Sequence, residues 1–305
     1  MGTFLGIDTS NYTSSGALFY EDGTINQAKK LLPVSQGQLG LRQSDALFHH
    51  TKQLSSVLNQ LLPSDIKAVG VSNKPRNVED SYMPCFLAGV NTAEVLAKAL
   101  DVPIHYFSHQ QGHLAALYSV NRLDLLEKDF LAFHLSGGTS EGLLVKNTLK
   151  GDIEIISETL DLNAGQVIDR VGKMLEFPFP SGKYLEELAL NFNGSFKIKT
   201  AVKGNNFALS GVENLCLKML KDGKTKEEIS AFCLEYIIKT IDKVLENLIE
   251  KHKGLEIVFS GGVASNSIMR ERFSGKYQAY FAEPIYSADN AAGIAVLTAY
   301  KHGKF

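Results

Sequence analysis

Phe130-Leu131-Ala132-Phe133-His134-Leu135-Ser136-Gly137-Gly138-Thr139-Ser140-Glu141-Gly142-Leu143-Leu144-Val145 is the stretch from which the fold is read. Phe130–Leu135 is apolar on both alternating faces, as in a strand covered on both sides. Ser136–Ser140 is a turn of small polar residues, and Gly142–Val145 resumes as a strand. The same order occurs earlier. Thr3-Phe4-Leu5-Gly6-Ile7-Asp8 is a short apolar strand ending in an acid, Thr9–Ser15 is polar, and Gly16-Ala17-Leu18-Phe19-Tyr20 is a second strand turning at Glu21-Asp22-Gly23. Two copies of strand, polar turn, strand predict a duplicated fold with a cleft between the halves.

Strands and helices alternate outward from these copies. Ala46, Leu47, Leu54, Leu58 and Leu61 recur at helical spacing over 44–62. Ile66–Ser72 reads as a strand, 86–100 as a helix and Pro103–Phe107 as a strand, so the class is α/β. The pattern restarts after about residue 128, which sets an N-terminal lobe at 1–128 and a C-terminal lobe at 129–305. Ile229, Phe232, Cys233, Tyr236, Ile237, Ile241, Val244 and Leu248 form one face of a long core helix over 229–250.

The composition narrows the function classes. The chain has 305 residues, 44% hydrophobic and 21% charged. No stretch nears the ~18–20 apolar residues that span a bilayer. The first residues lack the basic start and long apolar run of a signal peptide, so a cytoplasmic protein without a membrane partner is expected. Cys85, Cys216 and Cys233 are too widely spaced for a zinc knuckle and odd in number, which suits free thiols. A net charge of −2 argues against a surface coated by nucleic acid. Lys218, Lys221, Lys224 and Lys226 cluster, but Glu227 and Glu228 follow, so the run reads as a solvated helix start.

Three features carry chemistry. His109 and His113 lie four apart in Ser-His-Gln-Gln-Gly-His, and a helix starting there puts both imidazoles on one face, able to grip one metal ion. Coincidence also yields such a pair, and a two-histidine grip needs a third ligand, usually a carboxylate. Ser136-Gly137-Gly138 and Ser260-Gly261-Gly262 each follow an apolar strand, where exposed amides suit phosphate. Asp289-Asn290 opens a helix of small residues, and Asp289 reads equally well as its cap.

Taken in order, these motifs resemble the tRNA threonylcarbamoyladenosine synthase family, the TsaD or glycoprotease-like type, over nearly the whole chain. Gly6-Ile7-Asp8-Thr9-Ser10 resembles its first phosphate loop, His109–His113 its His-x-x-x-His signature and Leu135-Ser136-Gly137-Gly138 its second phosphate loop. Ala164–Val171 is similar to the segment whose acid, here Asp169, binds the ligand. Phe179-Pro180-Ser181-Gly182 resembles the turn that puts Gly182 at the nucleotide, with Glu186 placed to reach the ribose. Phe207–Gly211 is also similar to a family segment. Gly261–Asn266 resembles the adenosine motif with Asn266 on the nucleotide, and Asp289-Asn290-Ala291-Ala292 the closing motif whose aspartate is the third metal ligand.

The resemblance implies an actin-like ATPase (ASKHA) fold of two duplicated RNase H-like lobes around an interlobe cleft. It implies one divalent metal, Fe or Zn, on His109, His113 and Asp289. An ATP- or adenylate-type ligand would sit on Leu135, Ser136, Gly137, Gly138, Thr139, Asp169, Gly182, Glu186 and Asn266. The implied reaction moves a threonylcarbamoyl group from an adenylate to adenosine in tRNA, with partner proteins of a threonylcarbamoyl-transfer complex. Catalytic residues are unassigned, with Asp8, Thr9 and Ser10 as candidates.

The departures cluster. Asn11, Tyr12 and Thr13 stand where the family has Cys-Asp-Glu or similar, removing two acids and a general-base candidate. Thr139 replaces a His or Asn, and Asn73–Pro84 replaces a Gly-Pro-Gly-rich segment. The pattern suits a divergent paralogue. A carbamoyl or acyl transferase with another acceptor, or a non-catalytic nucleotide-binding subunit, therefore stays open beside the tRNA reading.

Overall fold

The computed structural model describes residues 2–10, 12–33, 41–61, 65–287 and 291–303, with Pro284 and Ser287 described by backbone alone. In chain order the elements are β1 (Gly2–Asp8), β2 (Thr13–Tyr20), β3 (Ile25–Leu31), α1 (Gln43–Leu58), β4 (Asp65–Lys74), α2 (Phe86–Leu100), β5 (Ile104–Ser108) and α3 (His109–Ala115). Then come β6 (Phe130–Leu135), β7 (Ser140–Asn147), β8 (Asp152–Glu158), α4 (Ala164–Met174), α5 (Gly182–Ala189), β9 (Ala201–Lys203), β10 (Asn206–Ala208) and α6 (Ser210–Lys221). The chain continues with α7 (Lys226–Lys251), β11 (Glu256–Ser260), α8 (Ser267–Tyr277), β12 (Tyr280–Phe281), α9 (Pro284–Ser287) and α10 (Ala291–Lys301).

The duplication is visible in strand order. The first sheet runs β3-β2-β1-β4-β5 and the second runs β8-β7-β6-β11-β12. In each, the founding strand pairs antiparallel with its successor (β1 with β2, β6 with β7) and parallel with a later strand (β4, β11). Every residue of β1 and β6 is buried, as runs apolar on both faces require. The topology is that of the α/β actin-like ATPase class.

The chain divides into two compact units. One holds 1–128, 146–153 and 285–305, and the other holds 129–145 and 154–284. Residues 146–153 and 285–305 thus group with the first unit, not with the C-terminal lobe in which the sequence reading placed them. The reason is α10. Ala291 to Ala299 are all buried, and a helix apolar all round needs cover on every side. Ile294, Ala295 and Leu297 share a core with Phe4 of β1, Phe19 of β2 and Phe107 of β5. On the other face of that sheet, Leu5, Ile7, Val69 and Val71 pack against Leu54 and Val57 of α1 and Ala93 and Ala97 of α2.

The second unit is centred on α7. Its apolar stripe, from Ile229 through Cys233, Ile237, Ile241 and Val244 to Leu248, is buried among residues of α4, α5, α6, β6 and β11. The lysine run near 218–226 is the end of α6 followed by the start of α7, not a single helix start. Lys224 pairs with Glu228 at 3.0 Å, and Lys226 Nζ donates to the Leu175 carbonyl at 2.7 Å.

Candidate functional site

In the first unit the chemistry gathers where β1, β4 and β5 end. These strands are mutually parallel, so their carboxyl ends share one edge, the usual place for ligand residues in such sheets. Asp8 ends β1, Ser72 lies near the end of the neighbouring β4, and Ser108 ends β5. Ser108 then starts α3. Its hydroxyl accepts from the Gln111 amide while the Gln111 side chain accepts from the Ser108 amide, a reciprocal cap that fixes the helix start.

That start sets the two imidazoles one turn apart. His113 Nε2 faces His109 Nε2 at 2.9 Å, with ring centroids 4.4 Å apart. The other nitrogen of His109, Nδ1, lies 2.9 Å from Asp8 Oδ2. An ionised carboxylate only accepts, so this contact places the proton on Nδ1 and leaves a lone pair at Nε2. Asp8 itself is 1% exposed and also accepts from the Ser10 amide and hydroxyl, each at 3.0 Å, and from the Ser72 hydroxyl. Burial pushes the Asp8 carboxyl up, but the His109 imidazole and these hydrogen bonds outweigh it, and the group sits below the usual value near 3.8. The carboxylate is therefore ionised and fully engaged, a partner that orients His109.

The other candidates of the first loop are also engaged. Thr9 Oγ1 donates to the Cys85 carbonyl at 3.0 Å and accepts from the Gly89 amide at 3.1 Å, tying β1 to the start of α2. Ser10 Oγ lies 2.9 Å from His109 Nδ1. The Asn73–Pro84 segment touches the histidine helix, because the Gln110 amide donates to the Pro75 carbonyl at 3.0 Å. Against α3 runs α10. A Cβ on Gly293 would collide with the Gly112 carbonyl, so only glycine permits this approach, at the residue just before His113.

The donor chemistry suits a borderline divalent cation. With its proton on Nδ1, His109 accepts at Nε2 from His113 Nε2 at 2.9 Å, and a His113 tautomer protonated on Nδ1 instead would turn two lone pairs toward one cation. His109 remains 22% exposed on its side chain, so the pair is reachable. Among the described residues no group of three or more metal-ligating side chains converges, and Asp289 lies outside the described residues.

The second unit holds the glycine turns. Leu135 is buried at the end of β6, and the Ser136 amide donates to the Thr139 carbonyl at 2.7 Å while the Thr139 amide donates to Ser136 Oγ at 3.0 Å. The turn projects Gly137 and Gly138 outward, exposed, with open space where side chains would stand. The end of β11 lies alongside. Gly261 has φ +94° and sits against the Leu135 carbonyl, a place that admits no Cβ.

Four more of the expected ligand residues lie in the same unit. Asp169 on α4 accepts from the Ser181 amide at 2.8 Å, just before Gly182 opens α5. Burial raises its carboxyl above 3.8 despite that bond. Glu186, one turn into α5, accepts from the Ser267 amide at 2.8 Å and from the Ser267 hydroxyl. Asn266 precedes it, 8% exposed, with Oδ1 accepting from the Met269 amide at 3.0 Å as the cap of α8. The structure thus brings Leu135–Thr139, Asp169, Gly182, Glu186 and Asn266 onto contiguous elements of one unit, and Asp8, Thr9, Ser10, His109 and His113 onto one edge of the other. Sequence reading missed Ser72. Its only local signal is a serine closing an apolar strand.

Comparison with known proteins places this arrangement. The family description tRNA N6-adenosine threonylcarbamoyltransferase matches residues 38–296. A protein of that name from Mycoplasmopsis synoviae is 28% identical over 302 residues, covering 96% of both chains. A probable bifunctional tRNA threonylcarbamoyladenosine biosynthesis protein from Thermoplasma volcanium is 28% identical, covering 98% of this chain, which spans 56% of that relative. Among solved structures, component A of the Acidaminococcus fermentans (R)-2-hydroxyglutaryl-CoA dehydratase superposes with a TM-score of 0.60 over 99% of both chains. Its 16% identity bears on fold alone.

Proposed function

The chain belongs to the tRNA N6-adenosine threonylcarbamoyltransferase family, and from that premise we propose that it transfers a threonylcarbamoyl group from an adenylate donor to an adenosine of tRNA. One divalent metal, iron or zinc, would be held by His109, His113 and Asp289. The observation that carries this reading is the contact of the buried Asp8 carboxylate with His109 Nδ1, which turns His109 Nε2 toward His113 Nε2 at 2.9 Å. A histidine pair that serves only packing needs no ionised carboxylate behind it.

The reaction needs three events. The adenosine N6 lone pair bonds the carbamoyl carbon, the bond from that carbon to the AMP phosphate oxygen breaks, and one N6 proton leaves. A bound metal would supply Lewis-acid polarisation of the carbonyl under attack. The chain's own residues do the rest by position. The outward Gly137 and Gly138 backbone receives the adenylate phosphate. Asp169 and Glu186 each keep acceptor lone pairs beyond their present bonds, enough for hydroxyls. Asn266 spends its oxygen as a cap, so its amide NH2 is the group that faces a ligand. Asp8 is a positioning residue, since all its acceptor capacity is engaged and its carboxyl is held low. The expelled AMP phosphate is basic enough to take the N6 proton in the final balance.

Partner proteins belong to the same reading, because the Thermoplasma relative carries the matched region inside a longer, bifunctional chain. The test is threonylcarbamoyl-adenylate labelled in its threonyl part, incubated with tRNA and purified protein. Label in tRNA, lost with His109→Ala, is expected. Donor consumed without label in tRNA points to another acceptor, which Tyr12, Thr13 and Thr139 leave room for. Donor left intact points to a non-catalytic subunit.

A further inference from the structure

We propose that the outer face of Lys197–Lys203 docks the phosphate backbone of tRNA. This rests on the reading that tRNA carries the acceptor, and it adds the surface that holds it. Exposure alternates strictly along Lys197-Ile198-Lys199-Thr200-Ala201-Val202-Lys203. Ile198 and Val202 pack against the core of the second unit, so Lys197, Lys199 and Lys203 face outward together. None of the three ammonium groups makes an ion pair or hydrogen bond with any described residue. Lysines around them are otherwise committed. Lys239 pairs with Glu235, Lys243 with Glu246, and Lys276 with Asp242 and Glu246.

The segment is pinned from behind. Lys239 Nζ donates to the Phe196 carbonyl at 3.0 Å, and the Phe196 ring meets Phe232 edge-on at 5.3 Å. Val202 and Phe207 are register partners of the β9–β10 hairpin. Beyond it, Asn247 Nδ2 donates to the Gly204 carbonyl and Lys251 Nζ to Asn205 Oδ1, both at 3.0 Å. A pinned backbone loses little further entropy when a ligand arrives, so the lysine side chains alone must order.

Geometry and charge choose the occupant. Same-face positions of an extended chain recur every ~6.6–6.8 Å, so Lys197 and Lys199 stand one step apart and Lys203 two steps beyond Lys199, a row long enough to follow several phosphates of one nucleic-acid strand. Three like charges without counter-ions among the described residues, on a chain of net charge −2, form a local patch suited to a polyanion. The exposed residues among and beside them, Ala201 and Gly204, offer no large apolar group to insert into a lipid surface.

The test measures binding of fluorescently labelled tRNA by anisotropy across a salt series. It compares wild type with the triple variant Lys197→Gln, Lys199→Gln, Lys203→Gln, and with a control triple, Lys52→Gln, Lys98→Gln, Lys218→Gln, of equal charge change. If each lysine meets one phosphate, the first triple loses on the order of 100-fold in affinity near 0.1 M salt, and its log–log salt slope is shallower by roughly 2–3. The control stays within a few-fold, and melting and adenine-nucleotide affinity are unchanged in both. Unchanged binding by the first triple, or an equal loss in the control, overturns the docking surface alone. Wild type that binds no tRNA overturns both the surface and the proposed acceptor.

Discussion

Replacing Asp8 by Asn keeps the volume and removes the charge, so it isolates what the carboxylate does for His109. Asp8 Oδ2 lies 2.9 Å from His109 Nδ1 in a site where Asp8 is 1% exposed. A charge-assisted bond of this kind is worth about 1.5–3 kcal/mol. With Asn, the Oδ1 atom can still accept from the Ser10 amide, which turns the NH2 toward His109. The imidazole then accepts at Nδ1 and carries its proton on Nε2, the nitrogen that faces His113 at 2.9 Å. The lone pair offered to a metal is lost although both histidines remain. Loss of such an orienting partner typically costs ~10–100-fold in metal affinity. The assay is competition against a calibrated chelator, with zinc and ferrous iron, on folded protein verified by circular dichroism. Asp8→Asn should fall in that range and His109→Ala beyond it. An Asp8→Asn protein that holds metal as tightly as wild type would refute the orienting role.

Other consequences follow from the same geometry. Gly293→Ala drives a Cβ into the Gly112 carbonyl, and overpacking of this kind costs about 1–3 kcal/mol, to be seen as a lower melting temperature in calorimetry. Asn266→Ala loses the α8 cap and about 1 kcal/mol of stability, whereas Asn266→Asp keeps the cap but loses the amide NH2. The Asp variant should therefore melt near wild type yet bind adenine nucleotide more weakly in titration calorimetry. Asp169 is raised by burial, so the folded state holds its proton to higher pH than the unfolded chain does. Its contribution to stability falls as pH rises from the ordinary value near 3.8 through the folded value. Asp169→Asn should flatten that part of the denaturation-versus-pH curve and leave stability at neutral pH equal or slightly higher.

Local signals made much of this legible. β6 and β7 were readable because an apolar run, a small polar turn and a second run are contiguous in sequence. The His109–His113 spacing predicted a shared helix face because α3 begins at His109, capped by the Ser108 side chain. Partners far apart in sequence were not legible. Asp8 lies 101 residues from His109 and 64 from Ser72, and only the parallel order of β1, β4 and β5 joins them. The helix Ala291–Lys301 was recognisable, but not its return to the first sheet, since small apolar residues fit any tight groove. The lysines at 197–203 escaped notice because their segment is irregular up to Ala201 and its alternation shows only as burial. Asp289 stays a sequence expectation.

The measurement closest to the central claim is nucleoside analysis by mass spectrometry of unmodified tRNA incubated with the metal-loaded protein and threonylcarbamoyl-adenylate. The account predicts an adenosine bearing a threonylcarbamoyl group at N6, formed with release of AMP and absent with His109→Ala or His113→Ala. Unmodified adenosine after incubation with metal-loaded wild-type protein, while donor is consumed or left untouched, would contradict it.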